Sequence, residues 1–415
     1  MSKKLYFLLS ILILATFVMS SCAPASPQAT EAPTSTGLEL PTSDVVIRLW
    51  TKEGEADGGL QFVKSLTDAF TAEHPNITFE VLNKDVETLR EDFQTSSLAG
   101  DPPELLWTVN DHAGPFTAAD LIQPVENYFD MSKYVPSVEM DGHTWAVPIS
   151  SGNHLMLLYN KDLVSTPPAT TEELIGMADQ FSGDTYALVY NATEPFWLVP
   201  WLGGFGGSVF AADGVTPTLD TQAMIDTLQF MYDLEFTYKL VPSETDYDSA
   251  DALFKEGQAA MIINGDWSLG GYTEQFGDKL GVAPIPETPK GWPAPYTSGT
   301  YFMLPKNLEG DKLAAVVAFI NYVSSDAVQT RMIDELVRLP GSKSALESPK
   351  ITEDPILAGS AAQMAKGVPM PSTLEMRCNW DAMKPEMQAV LAGSETPADA
   401  AAAMQSAAEL CVENL

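Results

Sequence analysis

From Val45 onward the chain alternates short β-branched runs with segments of helical period, an order that few folds accommodate. Val45-Val46-Ile47-Arg48-Leu49-Trp50 is a nearly continuous apolar run, as a buried parallel strand requires. Phe62, Val63, Leu66, Ala69 and Phe70 then share one helical face, which stops near His74-Pro75-Asn76. Ile77, Phe79 and Val81 alternate as a second strand, Val86 to Leu98 fits another helix, and Leu105-Leu106-Trp107 gives a third strand. Strand, helix, strand, helix, strand is the grammar of a doubly wound α/β lobe. Ligands of such lobes lie beyond the carboxyl ends of the strands, here just after Trp50 and Trp107.

A second alternation starts at Leu155 to Tyr159, and 415 residues suit two such lobes better than one core. Thr170 with Glu173 reads as a capping box, and Ala187 to Tyr190 as a strand. Asp220 is expected to cap a long helix through Met224, Leu228, Met231 and Leu234. Ala260 to Ile263 and Tyr301 to Leu304 read as further strands. Beyond Asp311 the pattern is helical, and the Ala-rich segment Pro397 to Leu410 is a strong helix former. No fixed-period repeat supports a solenoid or propeller.

The N-terminus is of a different kind. Lys3 and Lys4 precede the apolar run Leu5 to Val18, the form of a secretory signal peptide over residues 1–21. Val18-Met19-Ser20-Ser21-Cys22 resembles a bacterial lipobox, which makes Cys22 the acylated mature N-terminus. Residues 23–43, with Pro24, Pro27, Pro33 and Pro41 and no aromatic, read as a disordered tether. No other stretch is apolar enough to sit in a bilayer, so a polytopic membrane protein is excluded. With 56 acidic against 22 basic side chains, the net charge of −34 repels phosphate backbones and argues against nucleic-acid binding. In an oxidising compartment Cys378 and Cys411 either pair with each other or remain two buried thiols.

The chain has no Walker-type phosphate loop, no His-Glu-x-x-His and no Gly-x-Ser-x-Gly elbow. Its four histidines, His74, His112, His143 and His154, lack metal-ligand spacing, and His112 reads as a surface side chain. Gly203-Gly204-Phe205-Gly206-Gly207 follows a helix-like aromatic run rather than a strand, so it reads as a flexible turn. A secreted glycoside hydrolase with two working carboxylates remains a rival that composition alone does not reject.

Several segments are familiar in order. They are Phe70-Thr71-Ala72-Glu73-His74-Pro75-Asn76-Ile77, Asp101-Pro102-Pro103-Glu104-Leu105-Leu106-Trp107, Gly142 to Pro148 and Leu158 to Leu163. Phe254 to Met261, running into Asn264-Gly265-Asp266-Trp267, and Gly281 to Pro286 complete the series. Together they resemble bacterial extracellular solute-binding proteins of ATP-binding-cassette importers, in particular the maltose-, maltodextrin- and trehalose-binding lipoproteins. The resemblance implies a periplasmic-binding-protein-like fold of type II, two doubly wound α/β lobes joined by three hinge crossovers. These fall near Gly152, Thr297 to Gly299 and Pro340. Lobe 1 would then comprise residues 44–151 and 299–339, and lobe 2 residues 152–298 and 340–415. It implies a monomer without enzymatic activity or cofactor, anchored at the outer face of the cell membrane. There it would deliver an oligosaccharide to two permease subunits served by a cytoplasmic ATPase.

Sugar hydroxyls need Asp, Glu or Asn acceptors, and sugar C–H faces need flat aromatics. By similarity to the family's contacts, Asp111 and Glu194 are the acceptors, Phe196 a stacking ring and Tyr247 a further contact. Trp267 and Trp380 match the two tryptophans of the sugar groove. Asn153 stands where the family has a glutamate, and His112 where the maltose binder has an arginine. Glu55 and Asp57 are candidates in an unusually acidic first loop. A polyamine or other cation is the alternative solute for the same fold, because these carboxylates would suit it.

Overall fold

The computed structural model describes residues 38–415 apart from Asp184 and Glu244. Cys22, the leader 1–21 and the tether as far as residue 37 lie outside the described residues. The last tether residues are not loose: Asn76 Nδ2 donates to the carbonyls of Pro41 at 2.8 Å and Ser43 at 2.9 Å. Among the described residues no helix is long and apolar enough to cross a membrane.

Two sheets organise the described residues. In the first, Val45–Thr51 runs parallel to Ile77–Asn83 and to Leu105–Val109, with Val45 opposite Ile77 and Leu49 opposite Leu105. The burial of Val45, Ile47 and Leu49 alternates with more exposed neighbours, so this strand buries one face against helix Gly59–Glu73. Asp85 caps the next helix, Val86–Leu98, by accepting from the backbone N–H of Glu87 and Thr88. The sheet is completed by antiparallel strands: Tyr296–Pro305 pairs with Leu105–Val109 on one side and with Val147–Gly152 on the other. The ten-residue strand is much longer than the expected Tyr301 to Leu304. Its N-terminal half lies where a segment leaves one lobe for the other.

The second sheet has the order Leu280–Ala283, Leu155–Asn160, Ala259–Gly265, Tyr186–Tyr190. Its Tyr186–Tyr190 and Ala259–Gly265 strands are parallel, while Leu155–Asn160 is antiparallel to both of its neighbours. Thr170 accepts from Glu173 N–H at 3.1 Å, as the expected capping box requires, while Glu173 reaches back to Ala169 N–H at 2.7 Å, one residue before the cap. The cap of helix Gln222–Phe236 is Thr221 rather than Asp220; its hydroxyl accepts from Met224 N–H. Both residue types can cap, and the helix starts one residue later than the acidic side chain suggested.

The three segments that pass between the sheets lie side by side. Gly152 pairs with Ser298, Ser151 with both Gly299 and Leu339, and Ser150 with Pro340. Gly152 has φ 127°, and a Cβ there would collide with the Asp266 carboxylate; Asn153 follows at φ 44°. Helix Asp326–Leu336 seats Val328, Met332 and Leu336 in the first core. Ile333, Val337 and Leu339 pack instead among Met156, Leu158 and Ile351 of the second. This helix and the segment after it therefore serve both cores.

The C-terminal helices Glu375–Leu391 and Pro397–Val412 pack together and contribute Met376, Met383, Met404 and Ala408 to a further core on the other face of the second sheet, with Leu155, Leu157 and Leu188. Cys378 and Cys411 are joined by a disulfide across this pair, 33 residues apart in sequence. Closing a loop of that length in the unfolded chain is worth about 3–4 kcal/mol on the chain-entropy estimate. Cys411→Ser is therefore expected to lower unfolding free energy by about 2–4 kcal/mol. Urea denaturation of wild type and variant, with and without reductant, measures this; only the wild type should respond to the reductant.

Candidate solute-binding cleft

The loops that leave the first sheet at its carboxyl edge face the loops of the second. Thr51 ends its strand, and Lys52 and Glu53 follow at once. Leu105–Val109 ends into the 3-10 turn Asn110–His112. From the other side come the Tyr247 helix start, the turn Asp266–Ser268 after Ala259–Gly265, the turn Pro195–Trp197, and the first turns of Glu375–Leu391. Gly265 must be glycine, since a Cβ would enter the Trp267 ring.

Six aromatic rings form a continuous wall. Phe196 lies between Trp267, 6.2 Å away by ring centroids, and Trp380, 6.3 Å away. Trp197 backs the wall, 6.1 Å from Trp267 and 6.2 Å from Tyr247, and Tyr296 meets Trp380 edge-on at 6.0 Å. The tilted and edge-to-face angles are the arrangement aromatic quadrupoles favour. Polar groups border it at both ends. Trp267 Nε1 donates to Tyr247 Oη at 3.0 Å, and Tyr247 Oη donates to Asp57 at 3.3 Å. Trp380 Nε1 donates to Asp111 at 3.2 Å. Each of these last two contacts joins the two lobes.

Asp111 as a residue retains some exposure, but its Oδ1 is buried with no hydrogen-bond partner among the described residues. Burial first, and the Glu87 charge second, push its carboxyl up to about 6. Asp57 is also raised, chiefly by burial. Glu53 behaves oppositely. Burial would raise it, yet the adjacent Arg338 and Lys52 charges outweigh that and hold it at about 2.

The structure brings Asp57, Asp111, Phe196, Tyr247, Trp267 and Trp380 together in one cleft. Asn153 borders a narrow crevice beside Trp267 and donates to Ser298 Oγ at 3.2 Å, which ties two crossovers. Glu194 stands at the rim in an ion pair with Lys384. Glu55 is solvent-exposed on the first loop. His112 is not at the surface. Its Nδ1 meets Thr108 Oγ1 at 2.7 Å, its ring lies 5.6 Å from Phe116, and burial holds its pKa near 3, so it stays neutral. The loop turns inward immediately after the buried Leu105–Val109 strand, which spacing alone does not reveal.

Sequence reading missed Lys52, Glu53, Asp266 and Arg338. Lys52 Nζ lies 5.6 Å from the Trp267 ring centroid and 3.7 Å from Glu53. Glu53 Oε1 accepts from Trp107 Nε1 at 3.1 Å. For Lys52, Glu53 and Asp266 the available signal was position directly after a strand, whereas Arg338 follows the end of helix Asp326–Leu336 and carried no such signal.

The chain belongs to the family described as bacterial extracellular solute-binding protein, whose profile matches residues 65–359. It is 25% identical over 346 residues to the maltotriose-binding protein of Pyrococcus abyssi, covering 80% of this chain and 75% of that protein. It is also 25% identical over 340 residues to the maltodextrin-binding protein of Bacillus subtilis, covering 77% and 80%. Its fold matches the maltose/maltodextrin-binding domain from Bdellovibrio bacteriovorus bound to maltotriose, with a TM-score of 0.85 and 35% identity. That match covers 89% of this chain and 100% of the other.

The raised Asp111 has a signed consequence for stability. An unfolded aspartate titrates near 3.9, so the folded state holds this proton more tightly. Its contribution is present below about pH 4 and is lost as pH rises towards 6, up to about 3 kcal/mol. Asp111→Asn removes the titrating group. At pH 7 the variant is expected to be about 1–3 kcal/mol more stable than wild type, and at pH 3.5 no more stable. Denaturant titrations at the two pH values measure the difference, in which the other carboxylates cancel.

Proposed function

We propose that this chain is the substrate-binding lipoprotein of an ATP-binding-cassette sugar importer and captures a maltodextrin between its two lobes. The observation that carries the reading is the aromatic wall Phe196, Trp267, Trp380 with a carboxylate at each end, Asp57 and Asp111. Sugar C–H faces stack on such rings and sugar hydroxyls donate to such acceptors. The named ligands of the relatives, maltotriose and maltodextrin, agree with it. Glu194, Asn153 and Tyr247 would add contacts, and Glu55 at most a peripheral one. Lys52 and Arg338 beside Trp267 make the cleft less suited to a polyamine, because they put positive charge where a cation would lie.

In this reading lobe 1 is built from residues 44–151 and 299–339 and lobe 2 from residues 152–298 and 340–415, with Ile333 to Leu339 shared at the junction. Solute between the lobes selects a closed shape that the transporter distinguishes from an open one. The chain is exported, is acylated on Cys22 and works as a monomer at the outer face of the membrane. It delivers its sugar to two permease subunits driven by a cytoplasmic ATPase. It performs no catalysis itself.

Isothermal titration of the full-length chain against maltose, maltotriose, trehalose, a galactose-containing disaccharide and spermidine tests this. Binding of one glucosaccharide with no product formed supports the reading, and exclusive binding of spermidine overturns it. Trp267→Ala and Trp380→Ala are each expected to weaken the sugar by about 1–3 kcal/mol, measured well below the lowered melting temperature, where each variant is still folded.

A further inference from the structure

Arg338 occupies the third crossover, directly after Val337 at φ 52° and before the Leu339–Pro340 pairing with Ser151 and Ser150. Its guanidinium is 3% exposed. Nη1 donates to Glu53 Oε2 at 2.8 Å, on the first loop of lobe 1. Nη2 donates to the Trp267 carbonyl at 3.0 Å, on the aromatic wall of lobe 2. Glu53 is itself fixed by Trp107 Nε1 at 3.1 Å, from the adjacent strand of the first sheet. The third donor, Nε, is buried with no partner among the described residues, and Arg338 borders a narrow crevice with Lys52, Asn153, Asp266 and Trp267, the last of which belongs to the aromatic wall.

We infer that Arg338 is the closure latch of the cleft. It is a positioning residue whose fork ties Glu53 of one lobe to the Trp267 turn of the other, with its free Nε–H left to donate to a bound solute hydroxyl. An arginine suits this because its planar fork reaches two acceptors at fixed angles, whereas a lysine offers one flexible point charge. A buried guanidinium with one carboxylate partner and one carbonyl partner is stable only where both are present, so it favours the arrangement in which both lobes contribute. Opening the cleft separates Glu53 from Trp267 and leaves the fork half satisfied. The role of Nε rests on the sugar-binding reading; the role of the fork does not.

The test uses the full-length chain, its Arg338→Lys and Glu53→Gln variants and the double variant. Hydrogen exchange is followed in residues 52–58, 110–112 and 266–268, with helix Pro397–Val412 as internal control, and maltotriose is titrated in parallel. Without solute, Arg338→Lys should exchange about tenfold faster in the three cleft loops and normally in the control helix. Maltotriose should bind about tenfold more weakly, and the double variant should be no worse than the more affected single one. Unchanged exchange in the cleft loops overturns the latch, as does a loss of protection that spreads equally to the control helix. Wild type that fails to bind maltotriose while the exchange pattern holds removes the sugar reading and leaves the latch standing.

Discussion

The backbone pairing of three crossover segments is the constraint on which the rest depends. Ser150 to Gly152, Ser298 to Thr300 and Leu339 to Pro340 are hydrogen-bonded neighbours, so two large lobes meet along one narrow ribbon. Gly299 permits this, since a Cβ there would strike the Ser150 carbonyl. Ser150 Oγ and Thr300 Oγ1 lie 2.8 Å apart and complete the polar interior of the ribbon. A joint of this size cannot by itself fix the angle between the lobes, and contacts across the cleft therefore decide it.

Those contacts are few and polar. Tyr247 to Asp57, Trp380 to Asp111, Arg377 to Glu87 and Arg338 to the Trp267 carbonyl all cross from one lobe to the other. Asn110 adds donations to the Met370 carbonyl at 3.0 Å and Ser372 Oγ at 2.9 Å. Each costs desolvation when made and leaves a wanting donor or acceptor when broken. That balance suits an interface whose closing has to be reversible and dependent on solute. The disulfide between Cys378 and Cys411 is of the opposite character. It holds the helix that bears Arg377 and Trp380 against its neighbour, so one wall of the cleft is rigid while the lobe as a whole is free to move.

Much of this was legible in the chain. Strand and helix periods located the Val45, Ile77 and Leu105 strands to within two residues at each end, and Thr170 does cap its helix through Glu173 N–H. The ordered segments from Phe70 to Pro286 pointed to the family to which the chain belongs, and the tryptophans at 267 and 380 do share a cleft. Local patterns carry such information because they depend on neighbours three or four residues away. His112 escaped because burial is a property of the whole packing, and Asp220 lost to Thr221 because adjacent residues of equal capping power cannot be ranked by type.

The sequence by itself determined the alternating elements, the two-lobed α/β class, the acidic surface and the residue types available to grip a solute. Only the tertiary structure decided that Glu53, Arg338 and Trp267 meet, although 285 positions separate the first two. It alone decided that Oδ1 of Asp111 is buried while Glu55 is exposed, and that Ile333 packs with Met156 and Leu158 while Met332 packs in the first core. The physical reason is that periodicity reports on a residue's own helix or strand. Burial, charge pairing and pKa are set by whatever the closed fold brings alongside from distant parts of the chain.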